Sequence, residues 1–113
     1  MNPKISNERT KPLFWVSIPV ELMPEHPRYF DLEGGYLEIW IFADDSRDAA
    51  LHAAAIVDEL PYRILDESRM VVCENGSRSC AQTEFQKHAN VAYDLGLSMM
   101  LRGIPIGEAF SPL

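Results

Sequence analysis

YLEIWIFADDSRDAALHAAAIVDELPYRIL, residues Tyr36–Leu65, reads as strand, helix and strand in succession. From Tyr36 to Phe42, Leu37, Ile39 and Ile41 alternate with Tyr36, Glu38, Trp40 and Phe42, the two-residue period of a strand. After Asp44 and Asp45 the period changes. Ala49, Ala53, Ile56 and Leu60 recur at helical spacing, Ala50, Ala54 and Val57 widen the apolar face, and Asp48, His52, Ala55 and Glu59 form the opposite stripe. Asp45 or Ser46 supplies the N-cap, Asp48 sets a carboxylate beside the positive end of the helix dipole, and Pro61 stops the helix. A strand–helix–strand unit makes its two strands parallel when they share a sheet.

Upstream, Phe14, Val16, Ile18 and Val20 share one face of a first strand. Pro19 cannot donate to a ladder, which predicts a sheet edge or a strand end there. Residues 21–35 hold Pro24, Pro27, Gly34 and Gly35 and form a loop. It is either a packed connection pinned by Leu22, Met23, Tyr29 and Phe30 or a functional loop. Downstream, Tyr62–Cys73 is extended and interrupted at Asp66–Ser68, as one bulged strand or a short hairpin, and Asn75-Gly76 makes a turn. A second helix starts at Ser77 or Ser79 and runs to about Arg102, with Ala81, Phe85, Ala89, Ala92, Gly96 and Met99 on one side. Arg102, Gly103 and Pro105 have the character of its end. The apolar tail 104–113 packs back on the body.

The predicted order is β-β-α-β-α. It implies an α+β fold: a small mixed or antiparallel sheet of three to four strands with two helices packed on one face. Residues 1–12 read as a mobile polar N-terminal tail and 13–113 as a single domain. At 113 residues and 47% hydrophobic, the chain can bury a core without metal or disulfides.

Net charge is −7. Lys4, Arg9 and Lys11 stand against Glu8 in the first twelve residues, so the remainder holds seven basic and sixteen acidic residues, a net −9. Nucleic acid needs clustered cations to displace counterions, and an anionic membrane surface needs the same, so both are excluded as partners. No apolar run approaches the roughly 20 residues of a transmembrane helix, and the polar N-terminus lacks a signal-peptide core. Two cysteines are too few for a secreted disulfide framework. These features predict a cytoplasmic protein.

With both helices on one face of the sheet, Trp15, Tyr36, Trp40 and Phe42 look away from them, together with Ser17 and Glu38. An exposed aromatic face of this kind implies an interaction surface. Three occupants compete: a second copy, since twofold dimers are the commonest oligomers; the chain's own terminal segments; or a ligand stacked on the rings, with nucleobases disfavoured by the charge.

No motif carries a catalytic signature. His26, His88 and Cys80 are the candidates for acid–base or nucleophilic work; His52 pairs with Asp48 one turn away. No histidine spacing matches a zinc site, and Asp44, Asp45 and Asp48 fit helix capping better than a calcium loop, so neither metal nor cofactor is expected. Ser17 and Ser98 lack a nucleophile elbow. Cys80 falls near the start of the second helix, where the dipole lowers a thiol's pKa. Cys73 lies seven residues upstream across the turn, so the two form a candidate redox pair. The reading that follows is a small interaction or regulatory module, a homodimer through Trp15, Tyr36, Trp40 and Phe42. One alternative is a small-molecule-binding or catalytic dimer with a pocket at the 21–35 loop, where His26, Tyr29 and Tyr36 supply polar groups and Trp15 and Trp40 the walls. The other is a thiol switch at Cys73 and Cys80.

Overall fold

The structure, a computed structural model, describes residues 11–74 and 83–106. Residues 1–10 of the expected 1–12 tail, the Asn75-Gly76 turn, the expected helix start at Ser77 or Ser79, Cys80 and residues 107–113 lie outside the described residues.

Among the described residues five strands and two helices make a mixed α+β fold in the order β1 (Leu13–Leu22), β2 (Leu32–Phe42), α1 (Ser46–Asp58), β3 (Tyr62–Ile64), β4 (Val71–Glu74), α2 (Thr83–Leu95) and β5 (Leu97–Pro105). Every paired neighbour is antiparallel. β1 lies between β2 on one side and β3 and β4 on the other, and β5 extends the sheet beyond β2. Since β2 and β3 both run against β1, they are parallel to each other across it, as the strand–helix–strand unit requires.

β3 and β4 lie end to end along one side of β1, β3 opposite Val20–Leu22 and β4 opposite Phe14–Ser17. This is the bulged-strand alternative, with a 3-10 turn over Glu67–Arg69 pushed out of line. The gap falls at Ile18 and Pro19, which explains a proline inside a central strand. The Pro19 carbonyl accepts from the Leu65 N–H on the β3–β4 side. A strand residue points its nitrogen and carbonyl the same way, so the missing donor of Pro19 falls where the partner strand is interrupted. Asp66 caps the turn, its carboxylate accepting from the Ser68 N–H at 2.9 Å and the Ser68 hydroxyl at 2.6 Å. Those bonds hold the Asp66 carboxyl below its ordinary value of 3.8. Its contribution to stability is therefore present above that ordinary value and lost as pH falls through the lowered one. An NMR titration of the Asp66 carboxyl checks this; a midpoint at or above the ordinary value contradicts it.

α1 begins as the sequence predicts. Asp45 is the N-cap and accepts from the Asp48 N–H at 2.8 Å, while Asp48 returns an oxygen to the Asp44 N–H at 2.9 Å. Ala49, Ala53 and Val57 are buried on Phe14, Val16, Ile18, Val20, Leu37 and Ile39.

The second helix departs from expectation twice. It ends at Leu95 rather than near Arg102, because Gly96 takes φ 92°, the left-handed conformation that terminates helices, and its N–H bonds the Ala92 carbonyl at 2.7 Å. Leu97–Pro105 then runs as a strand, which raises the strand count above the predicted three to four. The two helices also do not share a face. α1 covers the face of Val16, Ile18 and Ile39, whereas Ala89 and Ala92 of α2 pack with Leu13, Trp40 and Phe42 on the other. Small residues at Ala89 and Ala92 let α2 approach the large rings beneath it.

Candidate interaction surfaces

The aromatic face is covered by the chain's own α2. Trp40 is 2% exposed and Phe42 5%. The His88 ring stacks on Trp40 with centroids 4.4 Å apart and planes 18° from parallel, and Tyr93 meets Phe42 edge-on at 5.3 Å. Trp40 and Phe42 thus belong to a core with Trp15 half-buried against it, and Tyr36 is half-buried farther along β2. The expectation of an open aromatic face followed from putting both helices on one side of the sheet, and it changes with that placement.

Beyond α2 this face turns polar. Glu38, buried in β2, lies between Ser17 of β1 and Met100 of β5. Its Oε1 is 3.2 Å from the Arg102 guanidinium, and its Oε2 is buried without a hydrogen-bond partner among the described residues. Arg102 also lies over the Tyr36 ring, 4.8 Å from the centroid. His88 Nδ1 is 3.0 Å from the Ser98 hydroxyl. The Glu38–Arg102 and His88–Ser98 contacts have no signal in the sequence, because only the register of β5 places Arg102 and Ser98 there.

The other chemical candidates are dispersed. The Arg28 N–H donates to His26 Nδ1 at 3.0 Å, so that nitrogen is an acceptor and a neutral ring carries its proton on Nε2. From there it donates to the Tyr62 hydroxyl at 2.9 Å. Burial pushes the Tyr62 phenol up, keeping it protonated. His52 pairs with Asp48 at 3.2 Å on the exposed side of α1. Cys73 is half-buried on β4 against the Trp40 cluster. Among the described residues no three of histidine, cysteine, aspartate and glutamate gather in a way that could hold a metal ion. No helix is long and apolar enough to cross a membrane among the described residues.

The expected 21–35 loop is shorter, residues 23–31, because β1 runs to Leu22 and β2 begins at Leu32; it borders a cavity of about 430 Å³ at the end of the sheet. Tyr29 lines it, but His26, Tyr36, Trp15 and Trp40 do not; Met23, Phe30, Glu33, Arg63 and Ile106 do. Leu22 is buried as a pin should be, whereas Met23, Tyr29 and Phe30 are exposed, Phe30 at 85%. The loop is therefore not a connection pinned by those three side chains.

The last surface is the free side of β5. Among the described residues no strand pairs with its outer edge. Its orientation follows from the ladder. Pro19 directs its backbone away from β2, so the Pro19–Tyr36, Ser17–Glu38 and Trp15–Trp40 pairs are the non-bonded ones of β1–β2. Tyr36, Glu38 and Trp40 then bond across to Arg102, Met100 and Ser98. The N–H and C=O groups of Leu97, Met99, Leu101 and Gly103 consequently point outward. The Gly35–Gly103 pair agrees: a Cβ on Gly35 would come 2.7 Å from the Arg102 carbonyl oxygen, which faces β2.

Compared with protein-family models, with curated proteins and with solved structures, the chain finds no match.

Proposed function

We propose that this chain is a cytoplasmic interaction module that self-associates through β5, two copies pairing edge to edge into one continuous sheet. The observation that carries the reading is the unequal treatment of the two sheet edges. The β3–β4 edge is broken into strands of three and four residues by the 3-10 turn and carries Arg63 and Glu74, both devices that keep edges from pairing. β5 offers nine residues with one charge, Arg102, already engaged by Glu38 and Tyr36. An acidic chain repels its copies over most of its surface, and β5 contributes no carboxylate to that repulsion.

The face beside this edge is also incomplete. α1 lies over β1, β2, β3 and β4 and leaves β5 at its margin. Leu97 and Leu101 are only half-buried, and Met99 is 40% exposed, all three on the α1 side. An antiparallel copy supplies partners for the outward backbone groups of Leu97, Met99, Leu101 and Gly103, and it covers those side chains with their equivalents. Such a twofold contact is self-complementary and leaves no edge to propagate.

Met99→Lys tests the proposal, because it puts a charge at the edge without touching the ladder to β2. Light scattering is expected to give twice the chain mass for the wild type and the single-chain mass for the variant, with unchanged circular dichroism. A wild-type monomer, or a dimer indifferent to Met99→Lys, contradicts it.

A further inference from the structure

The groove at the end of the sheet stands apart from the β5 edge and does not depend on it. Its loop is well tied. The His26 N–H donates to the Met23 carbonyl, the Tyr29 N–H to the His26 carbonyl, and the Leu32 N–H to the Arg28 carbonyl. The Met23 N–H donates to the Pro61 carbonyl and the His26 ring bonds Tyr62, fastening the loop to the sheet. A loop so fixed still sends Phe30 into solvent, with the Tyr29 ring edge-on at 5.2 Å. Folding gains almost nothing from a phenylalanine at 85% exposure. Met23, Tyr29 and Ile106 are exposed around the same cavity. One such side chain would be ordinary; several round one concavity mark a contact surface.

The charges around it select the partner. Glu21, Glu25, Asp31 and Glu33 stand on the loop and its flanks against Arg28 and Arg63, and Arg63 is held by Glu21 in an ion pair. The surround is thus acidic, on a chain of net −7. We infer that this groove docks a segment of a partner protein that presents a bulky apolar side chain flanked by lysine or arginine. The apolar residue packs on Phe30, Met23 and Ile106, and the flanking cations meet Glu33 and its neighbours, which also steers the encounter.

Fluorescence anisotropy with three labelled octapeptides on the full chain tests this: alternating lysine–leucine, glutamate–leucine and lysine–serine. At low ionic strength the lysine–leucine peptide is expected to bind saturably and the other two at least tenfold more weakly. Phe30→Ser and Glu33→Lys should each weaken it at least tenfold, with unchanged thermal melts because both side chains are exposed. Equal affinity for wild type and Phe30→Ser, or for the lysine–leucine and glutamate–leucine peptides, overturns the proposal. So does a protein that ignores the peptides and takes up an uncharged apolar dye in a Phe30-dependent way, which would make the groove a small-molecule site. Because Met99 and β5 lie outside the groove, Met99→Lys should bind the peptide like wild type, so failure of the groove is distinguishable from failure of the dimer.

Discussion

Trp40→Ala is expected to lower the unfolding free energy by about 3–5 kcal/mol, the range for truncating a buried large aromatic. The size of the effect follows from where α2 sits. Trp40 is 2% exposed, stacked under His88 and packed with Leu13, Phe42, Ala89 and Ala92. Alanine leaves a cavity that neither the sheet nor a helix held on it by small residues can close. Were the aromatic face open to solvent within one chain, the same substitution would cost well under about 1 kcal/mol. Urea unfolding followed by circular dichroism separates the two, and it does so at a protein concentration low enough to exclude association. A companion measurement guards against global effects: Phe30→Ala, exposed at the far end of the sheet, should leave the midpoint unchanged.

Arg102→Met should cost about 1–3 kcal/mol, and the double variant Glu38→Met with Arg102→Met should recover most of that loss. Glu38 is buried and Arg102 is its only ion-pair partner among the described residues, at 3.2 Å. Removing the guanidinium strands a carboxylate whose second oxygen already lacks a hydrogen bond among the described residues. The loss stays below that of a fully buried pair because Arg102 is more than half exposed and water can partly replace it. With both charges gone, methionine at 38 fills similar volume beside Met100 and nothing remains to be compensated. A double-mutant cycle by urea unfolding reads the coupling; additive losses would show that the pair does not act as a unit.

The parts of the fold that the residues announce are those where one period holds over a whole element. Leu37, Ile39 and Ile41 keep the period of two, Ala49, Ala53 and Val57 keep that of the helix, and Asp45 and Pro61 bracket α1. The same signals fail between Leu95 and Pro105. Leu97, Met99 and Leu101 alternate as in a strand, but Met99 also continues the helical spacing of Ala89, Ala92 and Gly96, and periodicity cannot arbitrate. Gly96 could be read as a small residue on a helix stripe or as a helix terminator; its φ of 92° decides for the second.

A hydrophobic stripe also reveals which side of a helix is buried without saying which side of the sheet buries it. A clue lay in β1 and β2, where Leu13 to Val20 and Leu37 to Ala43 are apolar on both faces apart from Ser17 and Glu38, the pattern of strands covered on both sides. The exposed Phe30 was illegible for a different reason. An aromatic in a proline-bounded loop serves equally well as a pin or as a contact residue, and only its surroundings tell them apart.

Amide hydrogen exchange along β5, followed by NMR over a range of protein concentrations, tests self-association through this edge residue by residue. The amides of Ser98, Met100 and Arg102 bond to β2 and should be protected at every concentration. Those of Met99 and Leu101 point outward and should be protected in concentrated protein and exchange freely on dilution. If Met99 and Leu101 exchange freely at all concentrations while their alternating neighbours stay protected, β5 is a free edge and the chain does not pair through it.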